Sequence, residues 1–380
     1  MIRRITLALL SALVLLTSCE YKDLCYNHEE HALRYHIDIK ADYRRDWEDS
    51  SSLLYKWKEN WPQHYIPYEQ LRPELPTGLR VLTYHDSYSE PHKSNIDPEG
   101  GIVMLSEGLN DILLYNNDTE YILFSTNESN EYYYATTRSN ARIPYTRSYT
   151  HYNQPDQLFG TFMQDLYVTD DPDAYEMHFD ADGTLYYVYD VNAALTPYTF
   201  IYLCQVMLLN NNDDAGKRVT GCEGVSFNRM AGGVDLFTRV TDSTNLVTIT
   251  QEEPCPVQTD RTLRLPDGTE TAGDILAARL LTWGMPGIDP LEKVTTRSGV
   301  TLRDSIHAGI GLTLRNGSVY AIEQDITDQM EMRPAGGVIT IVVDAAEIPD
   351  SIIGGKPKPG GGFDASVENW ENEIESDIII

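Results

Sequence analysis

The segment from Leu312 to Glu323 reads LTLRNGSVYAIE and carries the clearest fold signal in the chain. Asn316-Gly317 favours a tight β-hairpin turn, because both residues accept the positive φ angles that a type I′ turn requires. The flanking residues therefore predict two antiparallel strands, Leu312–Arg315 and Ser318–Glu323. A turn with similar chemistry, Asp180-Ala181-Asp182-Gly183, predicts a second hairpin.

The rest of the chain repeats this pattern of short strands between turn residues. Asn116-Asn117-Asp118 predicts a third hairpin, and residues 138–160 predict an irregular connection. Evenly spaced short strands with little amphipathic helix indicate an all-β fold of two tandem antiparallel β-sandwich domains. We place the domains at 19–195 and 196–350, with a hinge at Thr196-Pro197. The other predicted strands are 33–40, 78–84, 101–105, 111–115, 120–126, 132–137, 175–179, 185–191, 199–209, 225–230, 234–239, 246–250, 261–265, 275–283 and 338–343.

The N-terminal residues predict an exported lipoprotein. Two arginines precede an apolar run from Ile5 to Leu16, and Thr17-Ser18 then lead to Cys19. A basic start, an apolar stretch and small residues before a cleavage point are typical of a secretory signal. An apolar run of about a dozen residues is too short to span a hydrocarbon core roughly 30 Å thick. A cysteine directly after the small residues resembles a bacterial lipoprotein signal, in which that thiol is acylated. The resemblance predicts a signal peptide over 1–18 and acylation, for example with palmitate, at Cys19. An ordinary signal peptide is the alternative.

The charge of the chain excludes several classes of partner. It has 58 acidic against 29 basic residues, and its formal net charge is -29. Such a chain is repelled by the phosphate backbone of nucleic acid and by anionic lipid surfaces. No nucleic-acid partner is expected, and attachment to a membrane depends on covalent lipid.

Cysteines and acidic turns give no clear metal or cofactor site. Four cysteines remain after Cys19, and structural thiols and one disulfide among Cys204, Cys222 and Cys255 are both open. Asp180-x-Asp182-Gly183 lacks the glutamate that closes a calcium loop, so a plain turn is predicted. Weak calcium binding together with Asp170, Asp171 and Asp173 stays open, but no metal and no cofactor is predicted.

Residues 41–76 predict a long insertion loop that could itself carry a function. Trp47, Trp57 and Trp61 lie there among charged residues and prolines. They would suit a stacking platform, so a surface lipoprotein that binds a glycan or a host protein is an alternative function. No catalytic motif is present, and we expect no enzymatic activity. A hydrolase with scattered carboxylates is the third option.

The last thirty residues, 351–380, differ from the body. Gly354 to Gly362 predicts a flexible linker of glycine and proline. The segment 363–380 that follows has six acidic residues and no basic one. A disordered acidic tail is one reading. A strand that docks into a partner is the other, and its candidate donor residues are Phe363, Val367, Trp370, Ile374 and Ile378.

Five segments in chain order carry a family resemblance: Cys19–Tyr26 (CEYKDLCY), Asp111–Glu120 (DILLYNNDTE), Met230–Leu236 (MAGGVDL), Asp325–Met330 (DITDQM) and Gly361–Trp370 (GGFDASVENW). Together they resemble the fimbrillin-like (Mfa-like) lipoproteins of Bacteroidetes, which include anchor and accessory subunits of surface fimbriae. No single segment is diagnostic, and their order carries the resemblance. The segment with three tryptophans departs from the family.

The resemblance implies two transthyretin-like sandwich domains and a role in adhesion. It implies an outer-membrane lipoprotein, exposed at the cell surface, that tethers or assembles a fimbria with subunits of the same family. In such fimbriae an arginine-specific protease can remove a subunit's first strand, and a neighbour's C-terminal segment fills the groove by strand addition. Arg44 and Arg45 directly follow the predicted first strand and are the candidate cleavage site, with a solvated loop pair as the alternative. Anchor, polymerising subunit and tip subunit all stay open.

Overall fold

The computed structural model describes residues 35–43, 74–85, 90–127, 131–140, 149–169, 171–212, 218–251, 253–288, 305–333 and 336–349. Strands dominate these residues. The strands that begin before residue 199 are β1 (Tyr35–Tyr43), β2 (Leu79–His85), β3 (His92–Ile96), β4 (Gly100–Leu105), β5 (Gly108–Asn116), β6 (Ile122–Thr126), β7 (Tyr133–Thr137), β8 (Ser139–Asn140), β9 (His151–Tyr152), β10 (Phe159–Val168), β11 (Glu176–Phe179) and β12 (Leu185–Pro197).

The second half of the chain also consists mainly of strands. Its strands are β13 (Phe200–Leu209), β14 (Val219–Ala231), β15 (Gly233–Asp235), β16 (Leu246–Gln251), β17 (Cys255–Pro256), β18 (Gln258–Arg264), β19 (Glu270–Thr282), β20 (His307–Leu314), β21 (Val319–Asp325) and β22 (Gly337–Asp344). The helix α1 (Thr327–Glu331) follows β21, and short 3-10 turns cover Pro172–Ala174 and Ala345–Glu347. Within the residues described, no helix is long and apolar enough to cross a membrane.

The first β-sandwich is one eight-stranded sheet that folds into two layers. One layer has the order β3-β2-β5-β10, and the other has β4-β1-β12-β11. They join where the end of β12 pairs with the start of β10, at Pro197 and Phe159. Alternate residues of each strand point between the layers, as period-two strands require. The buried core between them consists of Ile37, Ile39, Leu79, Val81, Val103, Leu105, Ile112, Leu114, Phe159, Val168, Ala193 and Leu195.

The second β-sandwich packs two separate sheets. A four-stranded sheet of order β18-β19-β13-β22 covers a larger sheet of order β21-β20-β14-β16-β9-β8, with β17 also paired to β14. The central strand β13 is buried on both faces, because Tyr202 and Cys204 face the core while Leu203 and Met207 are covered on the opposite side. This double burial explains why β13 is an uninterrupted apolar run in the sequence.

A third apolar cluster joins the two sandwiches. A small sheet of order β15-β7-β6 lies beside it, so strands from both halves of the chain pair with each other. Trp283, Tyr198 and Leu236 are fully or almost fully buried in this cluster, and the Tyr198 hydroxyl donates to the Leu236 carbonyl at 2.7 Å. Pairing therefore crosses the predicted limit between 195 and 196, and that limit stays a prediction.

The all-β prediction is confirmed, and so are the two hairpins predicted from Gly-containing turns. β11 pairs with β12 around Gly183, and β20 pairs with β21 around Gly317. Both glycines have positive φ, at 80° and 79°, which side chains other than glycine rarely adopt. The transthyretin-like topology that the resemblance implies stays a prediction.

The hairpin predicted at Asn116-Asn117-Asp118 is wrong. β5 pairs with β2 and β10, whereas β6 pairs with β7. The polar side chains of this turn bind neighbouring segments instead. Asn116 Oδ1 accepts from the Phe159 amide at 2.7 Å, and Asp118 Oδ2 accepts from the Thr77 amide at 2.8 Å. They direct the chain out of the sheet.

One further prediction needs correction. Residues 138–160 are not simply irregular, since β8, β9 and the start of β10 lie there. The sequence pattern did not indicate these strands because they contain few aliphatic residues. Short strands held by backbone pairing need little apolar sequence. The hinge predicted at Thr196-Pro197 stays a prediction; the structure places these two residues in the buried, paired end of β12.

Candidate functional site: the slot that holds β1

The first strand of the described residues, β1, lies inside its sheet and not at an edge. All nine residues of β1 pair in parallel with Tyr187 to Leu195 of β12. On its other side, residues 35 to 40 pair antiparallel with β4. We call the space that β1 fills between β4 and β12 the β1 slot.

The inward face of β1 completes the core of the first sandwich. Ile37 and Ile39 are 1% and 0% exposed. Ala41 and Tyr43 continue this face and pack partly buried against the same cluster. The Tyr43 ring meets Phe159 edge-on with centroids 5.6 Å apart, and its hydroxyl donates to the Pro98 carbonyl at 2.7 Å. Burial raises the pKa of the Tyr43 hydroxyl, so it stays a donor throughout the neutral range.

The outward face of β1 is polar. Lys40 forms an ion pair with Asp190 of β12, and both side chains are more than half exposed. The hydrogen bond to Asp190 raises the pKa of Lys40. Exposed pairs of this kind add little stability, so the apolar face holds β1 in its slot.

One glycine sets how closely β4 can approach β1. Gly100 has φ of +125°, and a Cβ atom there would lie 1.8 Å from the Ile39 carbonyl oxygen. The turn before it is fixed by two backbone bonds of 3.0 Å, from the Gly100 amide to the Asp97 carbonyl and from the Ala41 amide to the Glu99 carbonyl. Only glycine both adopts this φ angle and leaves room for the Ile39 carbonyl.

The residues that the sequence singled out as sites lie outside the described part of the chain. These are Cys19, Arg44, Arg45 and the donor residues Phe363, Val367, Trp370, Ile374 and Ile378, together with Trp47, Trp57 and Trp61. Their roles stay predictions. What the structure adds is that Tyr43, the residue directly before Arg44, ends the slot-filling strand. Sequence reasoning found the strand, but it missed Gly100 and the neighbours of β1.

The three described cysteines are buried free thiols. Cys222 and Cys255 face each other on β14 and β17, and Cys204 lies on β13 in the same core. Burial raises the pKa of Cys204, so it stays protonated at neutral pH. Of the two options open from the sequence, the structure has the structural thiols.

The acidic turn before β12 is explained without an ion. Asp180 Oδ1 accepts from the amides of Asp182 and Thr184 at 3.0 and 2.8 Å, which closes the turn by hydrogen bonds alone. Within the described residues, no group of three or more His, Cys, Asp or Glu side chains is placed to hold a metal ion.

Comparison with known proteins gives matches mainly at the level of structure. A family model described as a domain of unknown function (DUF5119) matches residues 65–248, a range that crosses from the first sandwich into β16. No curated protein matches the sequence.

Three of the solved structures that match come from species of Bacteroides and Porphyromonas. A candidate adhesin from Bacteroides ovatus is 15% identical, with 88% of this chain and 99% of that one covered and a TM-score of 0.48. The fimbrial anchor protein Mfa2 from Porphyromonas gingivalis is 9% identical, with 81% and 90% covered and a TM-score of 0.40. A candidate polysaccharide-binding protein from Bacteroides thetaiotaomicron is 6% identical, with 82% and 92% covered and a TM-score of 0.40.

Proposed function

We propose that this chain is a non-enzymatic, lipid-anchored fimbrial subunit of the outer membrane that acts in adhesion. In this proposal lipid at Cys19 holds the chain at the cell surface. The chain keeps β1 in its own slot and engages a neighbouring subunit of the same family with its C-terminal segment. The observation that carries the proposal is the position of β1, which is paired on both sides and followed at once by Arg44-Arg45.

The position of β1 matters because it links the lipid to the body. Cleavage after Arg44 or Arg45 would detach Cys19 from the body, and β1 could then leave. Its departure would expose unpaired backbone groups of β4 and β12 and the apolar core beneath them. Such a groove accepts an incoming strand readily. An uncut chain offers no such groove, so it acts as a base and not as a link in a polymer.

An extended C-terminal segment would present part of its apolar residues to a slot of this shape. The inward residues of β1, from Ile37 to Tyr43, recur every two positions. Trp370, Ile374 and Ile378 recur every four positions, so they would share one face of an extended strand, with Glu373 and Glu375 on the other. Among the five candidate donor residues, these three would therefore enter the slot together.

Two measurements test the proposal. Intact mass of the protein from its native envelope should show an acylated Cys19 on an uncut chain, whereas a chain that begins near Asp46 would overturn the anchor role.

The second measurement is cross-linking to fimbrial subunits in the same envelope, with the linked peptides identified by mass spectrometry. The double change Ile374→Asp and Ile378→Asp should abolish links between residues 363–380 and the partner subunit. The matched double change Glu373→Gln and Glu375→Gln, on the opposite face, should preserve them. Equal linking by both variants would refute strand addition by this segment.

A further inference from the structure

The outer face of the four-stranded sheet in the second sandwich carries a polar cavity of about 580 Å³. Gln205 of the central strand β13 and Thr340 of β22 form its floor. The end of β18 with the following turn forms one wall, and the segment around α1 forms the other. Its volume is in the range of cavities that bind small molecules, roughly 300–1,000 Å³.

The electrostatics of this cavity oppose those of the chain as a whole. The described residues that line it include Arg264 and Arg333 but no aspartate or glutamate. The chain as a whole has twice as many acidic as basic residues, yet the described charged residues that line this cavity are both arginines. Such a cavity favours an anionic ligand. Arginine binds carboxylates with two parallel hydrogen bonds, so a carboxylate suits it well.

Two polar groups of the cavity are buried and have no hydrogen-bond partner. Gln205 is 3% exposed, and its Nε2 donates to the Thr340 hydroxyl at 2.7 Å, while its Oε1 is unpartnered. The Nε of Arg333 is likewise buried and unpartnered. Buried polar groups without partners are costly, so each one requires an explanation, and a bound polar ligand is one. Gln205 and Arg333 thus contribute one acceptor and one donor to the cavity lining, and because both atoms are covered, a ligand pairs with them when the two side chains turn toward it.

Other hydrogen-bonding groups around Gln205 and Arg333 already have partners. The Tyr202 hydroxyl donates to the Arg333 carbonyl at 2.6 Å, and Arg333 Nη1 donates to the Gln329 carbonyl at 3.2 Å. The Gln329 side chain bonds both backbone groups of Thr340, accepting from its amide at 2.8 Å and donating to its carbonyl at 2.9 Å. These bonds occupy the edge of β22, where a peptide strand would otherwise add. A compact ligand with its own hydroxyl groups fits better than a peptide.

We propose that this cavity binds an acidic sugar unit, such as a hexuronate, with its carboxylate on Arg333 and Arg264 and a ring hydroxyl donating to Gln205 Oε1. A saccharide that carries both a carboxylate and hydroxyl donors meets both unpartnered groups at once. No aromatic ring is among the described residues that line the cavity, so binding rests on these charge-assisted hydrogen bonds and weakens with salt. The site is separate from the β1 slot and does not depend on strand addition.

The test uses the purified full-length chain and D-glucuronate, titrated by NMR. D-glucose and acetate serve as ligands that lack either the carboxylate or the hydroxyls. Glucuronate should bind at least about ten-fold more tightly than glucose, which lacks the hydrogen bonds to a charged group, and more tightly than acetate, which leaves the buried Gln205 Oε1 unpaired. Acetate that binds as well as glucuronate would reduce the site to a simple anion site, and N-acetylglutamate amide that binds more tightly would indicate a peptide ligand. Either result, or no binding at all, overturns the proposal.

Variants tie the binding to the cavity. Arg333→Gln should weaken glucuronate binding about ten-fold or more, and Arg264→Gln should weaken it as well. Arg261→Gln is the matched control, since Arg261 is an exposed arginine of β18 that bonds Gln258 outside the cavity. An unchanged affinity in Arg333→Gln, with an unchanged thermal midpoint, would place the ligand elsewhere.

Discussion

Replacing Ile39 with alanine tests whether β1 is a structural part of the first sandwich. Ile39 is fully buried between the two layers, so the change removes three carbon atoms from a packed core. At about 0.8 kcal/mol per buried methylene, the transfer term alone is about 2.4 kcal/mol. The cavity left behind raises the total to about 3–4 kcal/mol, within the usual range for such changes. That is a large share of the 5–15 kcal/mol by which domains are typically stable.

The assay is urea unfolding followed by circular dichroism. With a slope of about 1–3 kcal/mol per molar urea, the midpoint of the first sandwich should fall by about 1 M or more. The matched control is Ile102→Ala on the neighbouring strand β4, where the isoleucine is 49% exposed and the same atoms are removed from the opposite face. It should change stability by less than about 1 kcal/mol. If the free energy of unfolding falls by the same amount in both variants, within about 0.5 kcal/mol, the placement of β1 in the core is refuted.

Three further outcomes follow from the described contacts. Gly100→Ala should lower the free energy of unfolding by more than about 3 kcal/mol, because backbone strain and a clash with β1 add. Gly183 also has positive φ but no atom within 4 Å of an added Cβ, so Gly183→Ala should lower it by only about 1 kcal/mol. Equal urea midpoints for the two variants would contradict the close approach of β4 to β1. Burial alone would raise the pKa of Asp242, but hydrogen bonds from the Tyr134 hydroxyl and from Thr244 hold it below its usual value of 3.8. The stability that this carboxylate adds is therefore present above pH 3.8 and is lost as pH falls through its lower pKa in the folded state. In urea titrations, Asp242→Asn should be less stable than the parent by up to about 1 kcal/mol at pH 7 and equally stable at pH 2. A difference in stability that does not change with pH would contradict this reasoning. The three buried thiols should resist a thiol reagent in the folded protein and react once urea unfolds it, whereas fast reaction of the folded chain would mean that they are accessible.

Local chemistry made much of the fold predictable from the sequence. The Asn-Gly and Asp-x-Asp-Gly turns identify their hairpins because few other residues tolerate those backbone angles. The alternation from Leu33 to Lys40 correctly marks Ile37 and Ile39 as the buried face of β1. β13 stands out as a central strand because both of its faces are covered.

What the sequence hides is pairing between distant segments. β1 pairs in parallel with a strand about 150 residues later, and no local pattern encodes that partner. β3, with the sequence HKSNI, escaped prediction because it is a mostly exposed edge strand that needs no apolar face. Asn116-Asn117-Asp118 has turn chemistry, yet its side chains bond Thr77 and Phe159, which only the tertiary structure brings near. The polar cavity around Gln205 likewise joins residues from three distant parts of the chain, near 205, 264 and 329–340.

The double pairing of β1 has a mechanical consequence. If the chain is held at its N-terminus, a pull in line with β1 loads its hydrogen bonds to β12 and β4 in shear. Those bonds then share the force and must break together, whereas an edge strand pulled sideways would peel off one bond at a time. Resistance to force is a matter of unfolding rate rather than of equilibrium stability. In a chain tethered in the proposed way, β1 would thus lie where tension releases it slowly, and a single peptide-bond cut after it would release the load at once.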